Sequence, residues 1–149
     1  MSENELIRLD NIKSRIFTIR GMQVMLDSDL AELYGVSTKV FNQAVKRNTD
    51  RFPEKYMFMV NDDEFASLRS QIVTSNKRGG RRYLPKVFTE QGVAMLSAVL
   101  KSDTAIQISI KVIDAFVEMR HFITENLRIS QRIDFVEKKQ IEYKSESDK

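Results

Sequence analysis

The chain contains no cysteine, which excludes disulfides, thiolate catalysis and cysteine-ligated zinc and suits a reducing compartment. Histidine occurs once, as His121, with no second histidine at the i+4 spacing of a helical zinc site. No apolar run is long enough to cross a bilayer: the longest, residues 92–100, falls far short of the ~20 residues a membrane helix requires. The opening Met-Ser-Glu-Asn-Glu is polar and acidic, unlike a signal peptide. These absences lead to the expectation of a cytoplasmic protein with no membrane attachment, no metal, no cofactor and no enzymatic activity. The two acidic groups, Asp27 with Asp29 and Glu32, and Asp62 with Asp63 and Glu64, stand where helices are expected to begin, and acids there answer the helix dipole and the free N–H groups. Gly79-Gly80 lacks the following Gly-Lys-Ser/Thr of a nucleotide-binding loop.

What is present is a basic middle. A chain of 149 residues, 42% hydrophobic and 30% charged, supports one domain with a core and an appendage. The net charge is only +3, yet residues 37–88 carry eleven Lys or Arg against five acids, a surplus of six, so the remainder carries −3. A cationic middle between more acidic ends suits a polyanion-binding surface.

Residues 26–48 read as two short amphipathic helices joined at Gly35. Asp27 or Ser28 offers a cap for the first, whose Leu30, Ala31, Leu33 and Tyr34 form an apolar face. Gly35 can take the positive φ of a sharp reversal, Val36 can plug the gap between the helices, and Ser37 or Thr38 can cap the second. At about 100° per residue, Val40, Phe41, Ala44 and Val45 fall on one side of that second helix and Thr38, Lys39, Asn42, Gln43, Lys46 and Arg47 on the other. Apolar packing is expected of the first set and solvent exposure of the second. This is the pattern of a helix-turn-helix, and amide and cationic side chains suit base edges and phosphates. An ordinary solvated helix shows the same amphipathicity.

Elsewhere, residues 16–19 and 23–26 read as a hairpin turning at Arg20-Gly21, and residues 56–60 as a strand after Pro53 ends the helix. Asn61 or Asp62 caps a helix through Phe65, Leu68 and Ile72. Lys77, Arg78, Arg81 and Arg82 surround the two glycines between Ile72-Val73 and a strand-like run 83–88, as in the wing of a winged helix, whose tip can follow phosphates or enter a minor groove. Thr89 caps a helix over 90–100. Ser102 or Asp103 starts a longer one, with Ile106, Ile110, Ile113, Phe116 and Val117 at helical spacing. From Met119 a heptad follows, with Phe122, Ile129, Val136 and Tyr143 on one seam and Met119, Asn126, Ile133 and Gln140 on the other. Asn126 and Gln140 at seam positions weaken a coiled coil while specifying its register.

Several blocks occur in order: Ile-Arg-Gly-Met-Gln-Val-Met-Leu-Asp-Ser-Asp-Leu-Ala-Glu-Leu-Tyr-Gly-Val at 19–36, Val-Lys-Arg-Asn at 45–48, Arg-Phe-Pro at 51–53, Leu-Arg-Ser-Gln-Ile at 68–72, Arg-Gly-Gly-Arg-Arg-Tyr-Leu-Pro at 78–85 and Phe-Thr-Glu-Gln-Gly-Val-Ala-Met-Leu at 88–96. Together they resemble the KilA-N superfamily of phage and bacterial DNA-binding domains, in the branch named after the amino-terminal region of a phage sixth open reading frame. The resemblance spans residues 16–122 and implies a compact α+β DNA-binding domain, common in antirepressor-like prophage regulators, with Lys46, Arg47, Arg78, Arg81 and Arg82 as nucleic-acid contacts.

The expected architecture is therefore α+β: a helix-turn-helix core, small β-hairpins including a basic wing, and a long C-terminal helix. Residues 1–14 are read as an extension, 15–122 as the domain and 123–149 as a helical tail. The expected partner is double-stranded DNA, contacted by Ser37, Thr38, Lys39, Asn42, Gln43, Lys46, Arg47, Lys77, Arg78, Arg81 and Arg82. A homodimer through the C-terminal helix would suit a symmetric site. The rival expectation is a protein-binding module that occupies a repressor protein.

Overall fold

The computed structural model describes residues 8–71 and 84–147. The chain divides into two compact units, Met1–Phe116 and Val117–Lys149. The fold is mixed, as expected, with helices around a four-stranded antiparallel sheet and a long C-terminal helix.

The first unit begins with a short helix α1 (Leu9–Lys13), whose Ile12 is fully buried. Part of the segment read as an extension thus belongs to the core. Strands β1 (Ile16–Ile19) and β2 (Met22–Leu26) pair antiparallel across a two-residue turn in which Arg20 (φ 54°) and Gly21 (φ 74°) are both left-handed. That is the backbone a tight hairpin selects, because its twist matches that of the strands. The Arg20 guanidinium folds back onto the Phe58 ring, 4.3 Å from its centroid, and forks onto Glu64 at 2.8 and 3.1 Å. Glu64 stands in the first turn of the helix over Asp62–Gln71, and the pairing ties the hairpin turn to it.

Helices α2 (Asp27–Tyr34) and α3 (Thr38–Arg47) follow. Strand β3 (Met57–Met59) leads into α4 (Asp62–Gln71), which starts with a reciprocal cap: the Glu64 N–H donates to Asn61 Oδ1 and the Asn61 N–H donates to Glu64 Oε1, both at 2.8 Å. Strand β4 (Lys86–Phe88) takes a central place, giving the order β1-β2-β4-β3. Helix α5 (Glu90–Leu100) is capped by Thr89, whose Oγ1 accepts from the Gly92 N–H and donates to the Lys55 carbonyl. Helix α6 (Asp103–Ser147) is capped by Ser102 through the Ala105 N–H and contributes to both units.

Register decides which residues meet, since side chains alternate between faces. Leu26, Val87 and Phe58 lie opposite one another across three strands. They share one face with Ile19 and Val24, covered by Leu68 and the partly buried Phe65 of α4. Met25, Phe88 and Met57 form the corresponding row on the other face. There Phe88 makes edge contacts with Phe41 of α3 at 5.4 Å and with Phe52 at 5.8 Å. The sheet is thus filled on both sides, and the Phe88 side anchors α3.

Helix α6 packs differently from the expected pattern. Its buried stripe is Ala105, Ile108, Ser109, Val112, Ala115 and Phe116, whereas Ile106 and Ile110 are about half exposed. Small residues allow close approach, and the Ser109 hydroxyl lies 2.6 Å from the Tyr34 hydroxyl of α2. Burial pushes the Tyr34 phenol up to about 12, with the Ser109 hydrogen bond acting weakly in the opposite direction.

In the second unit α6 exposes Phe122, Leu127, Ile129, Ile133 and Val136. The side chains of Gln140 and Tyr143 lie outside the described residues. Among the described residues no helix is long and apolar enough to cross a membrane.

Candidate nucleic-acid interface

The α2–α3 corner is built from three local devices. Gly35 closes α2 at φ 76° and ψ 27°, with its own N–H donating to the Glu32 carbonyl and the Val36 N–H to the Ala31 carbonyl, a reversal that leaves no room for a penalty-free Cβ conformation. The Ser37 hydroxyl accepts from the Val40 N–H at 3.1 Å and so starts α3. At its far end, Asn48 donates its side-chain amide to the Ala44 carbonyl at 2.8 Å, and Thr49 donates to the Lys46 carbonyl at 2.7 Å. A short turn of 3-10 helix, Thr49–Arg51, then delivers Phe52 into the core.

Asp27 is the first residue of α2 rather than its cap, and it is completely buried. Its Oδ1 accepts from the Ser28 N–H at 2.7 Å, and its Oδ2 from Asn42 Nδ2 at 3.0 Å and the Lys86 N–H at 3.4 Å. All three partners donate, matching the acceptor-only chemistry of a carboxylate. One carboxyl group therefore joins the start of α2, the middle of α3 and the start of β4.

The expected packed and exposed sets of α3 need correction at Val40, Asn42 and Thr38. Phe41, Ala44 and Val45 are buried as expected, but Val40 is 51% exposed. Asn42, expected outward, is half-buried on the flank, with its amide turned to Asp27 and its Oδ1 buried without a hydrogen-bond partner. The buried arc of this helix is narrower than the apolar arc of its sequence, because Phe88 and α2 grip only the Phe41–Ala44–Val45 side. Val36, expected to plug the corner, is 36% exposed.

The remaining expected contacts fall as follows. Lys39, Gln43, Lys46 and Arg47 are exposed, Ser37 is exposed with its hydroxyl used as the cap, and Thr38 is half-buried. Lys39, Gln43 and Lys46 recur at i, i+4 and i+7, which aligns them in one outward row. Lys77, Arg78, Arg81 and Arg82 lie outside the described residues. The strand that follows them is hydrogen-bonded on both edges, by β2 and by β3. The expected wing partner, Ile72-Val73, likewise lies outside the described residues.

Charge pairing distinguishes the cations of α3 from Arg15 and Arg20. Arg15 bridges Asp29 and Glu32 of α2 at 3.2 Å each, and Arg20 is held by Glu64. No carboxylate among the described residues pairs with Lys39, Lys46 or Arg47. The first turn of α3 carries no acid, and its last turn carries Lys46 and Arg47. Of the acids expected at helix starts, Asp29 and Glu32 are engaged by Arg15, Glu64 by Arg20 and Asp27 as above. The described residues hold no group of three or more His, Asp or Glu arranged around a common metal position.

The sequence reading missed Asp27 as a junction and Val40 as a surface residue. The first had a signal in its position, two residues before Asp29 and at the end of an apolar strand, where an acid must either leave the sheet or find donors.

Neither the curated proteins nor the solved structures contain a match to the chain. Residues 14–99, more than half of its length and including the whole of the corner, match the ORF6N domain, and the chain belongs to that family.

Proposed function

We propose that this protein is a sequence-selective double-stranded DNA-binding regulator of phage or prophage type, with the α2–α3 corner acting as a helix-turn-helix. The observation that carries the reading is the outward row of α3: Lys39, Gln43 and Lys46, with Arg47 beside it, exposed and without carboxylate partners among the described residues. Arg15 and Arg20 of the same unit are instead paired with acids of the fold. Family membership supports a phage-related, antirepressor-like setting.

In this reading α3 enters the major groove. Gln43 presents an amide able to pair bidentately with adenine, and Lys39 and Lys46 are placed for guanine or phosphate oxygens. Arg47 contacts the backbone, and Lys77, Arg78, Arg81 and Arg82 add phosphate contacts nearby. Asn42 has a different part: it donates to Asp27 and fixes the rotation of α3, so that its neighbours face outward.

Selection from a random duplex pool tests this reading. The intact protein is expected to enrich a defined motif, and the variant Lys46→Ala/Arg47→Ala to enrich none. Recovery of no motif by the intact protein refutes sequence-selective binding.

The second unit favours self-association, since Phe122, Ile129, Ile133 and Val136 are exposed at heptad spacing around Asn126. Two corners about one duplex turn apart would read a symmetric site. The same surface supports the rival reading, capture of a repressor protein, and that binding would be far less sensitive to salt than duplex binding.

A further inference from the structure

The outward face of α3 is not uniformly polar. Val40 is 51% exposed and Val36, just ahead of the Ser37 cap, is 36% exposed, while the other apolar residues of α3, Phe41, Ala44 and Val45, are at most 8% exposed. A solvated position in the first turn of a helix favours an acid, which answers the dipole, or a straight-chain residue, which loses little entropy. Here a β-branched apolar residue stands there instead, in a turn with no acid. Lys39 precedes it, Gln43 lies one turn on along the same exposed side, and Arg47 follows two turns later. Such an apolar spot within a cationic field is poorly suited to a purely apolar surface and calls for an anionic partner that carries an isolated apolar group. It matches the one apolar group on the floor of a major groove, the 5-methyl of thymine, which lies among hydrogen-bond acceptors and near phosphates. Residues at the N-terminal end of a recognition helix are also those that reach base edges.

We propose that Val40 is a specificity-determining contact that reads the 5-methyl group of thymine. The inference rests on the reading of α3 as the duplex-facing helix and names one base within its site. Polar side chains of the same row, Gln43 and Lys46, read hydrogen-bonding edges; Val40 reads shape and hydrophobicity. The mutation Val40→Ala removes the contact without opening a cavity, because the side chain is outside the core.

The test begins with the enriched duplex, in which each thymine is replaced in turn by deoxyuridine, which lacks only the methyl group. Removing one methyl from an apolar contact is expected to weaken binding by about fourfold. The intact protein should show that loss at one or two positions and none at the others, and Val40→Ala should bind thymine and uracil duplexes alike at one of them. Transfer of the methyl to cytosine, as 5-methylcytosine in place of thymine, should restore part of the Val40-dependent term. If no uracil substitution weakens binding, or if the loss persists unchanged in Val40→Ala, the inference is overturned while duplex binding itself stands. If no duplex is bound selectively, the underlying reading of α3 fails first, and Val40 is then left as a surface for a protein partner.

Discussion

Replacing Asn42 by alanine separates a residue that reads bases from one that positions the helix that reads them. In the structure its Nδ2 donates to the fully buried Asp27 carboxyl at 3.0 Å, which also accepts from the Ser28 and Lys86 N–H groups at 2.7 and 3.4 Å. Losing a hydrogen bond to a charged or acceptor-only buried group costs about 1.5–3 kcal/mol. Removing the amide also relieves the unpartnered Oδ1, worth about 1 kcal/mol. The net destabilisation is therefore about 0.5–2 kcal/mol, or roughly 1–8 °C in Tm for a chain of this size. Thermal and urea unfolding of Asn42→Ala, Asp27→Asn and the double variant would measure it, and the double-mutant cycle should show strong coupling. Asn42→Asp should be worse than Asn42→Ala near neutral pH, because it sets two carboxyl groups face to face. DNA affinity of Asn42→Ala should fall by a similar factor on every duplex. Unchanged stability with a selective loss on the preferred site would refute the positioning role and restore Asn42 as a base reader.

Gly92 of α5 lies against the chain before β3, where a Cβ would overlap the Tyr56 carbonyl oxygen; Gly92→Ala should therefore cost about 3 kcal/mol, the upper end for overpacking, and an unfolding midpoint equal to the native one would contradict the packing. Glu64 is held below the usual carboxylate range, first by the Arg20 hydrogen bond and then by the Asn61 N–H. Its contribution is present above the unfolded value of 4.5 and fades as pH falls through the depressed native value. Glu64→Gln should accordingly lower stability at neutral pH and flatten the acid limb below 4.5 in pH-dependent unfolding. Truncation after Arg120 should convert a dimer to a monomer in sedimentation equilibrium, and an intact chain that sediments as a monomer would exclude self-association through the tail.

Much of the local architecture was legible because it depends on neighbours in sequence. The Arg20-Gly21 hairpin turn, the Gly35 reversal, the Ser37 and Thr89 caps and the Asn61–Glu64 capping pair all follow from side chains within a few residues of the backbone they serve. Long-range pairing was not. Strands of three residues such as β3 and β4 carry little periodicity, and nothing local reveals that β4 lies between β2 and β3, or that Ile12 reaches the core. On α6 two apolar stripes compete, and the larger isoleucines marked the wrong one; close approach to Tyr34 selects the stripe with Ala105, Ser109 and Ala115. On α3 a helical wheel places Asn42 among polar residues by angle alone. Only a buried carboxyl from another helix turns its amide inward and rotates Val40 toward solvent. The exposed row Lys39, Gln43, Lys46 and Arg47 survived that rotation, and the role of the basic segment 77–82 rests on sequence.

The salt dependence of duplex binding tests the central claim most directly. For the intact protein, log Kd plotted against log salt concentration should be steep, and the variant Lys39→Ala/Lys46→Ala/Arg47→Ala should lose up to about 2.7 of that slope, at roughly 0.9 per phosphate released. A slope identical in the two proteins would show that these cations of α3 do not face the phosphate backbone, contradicting the account.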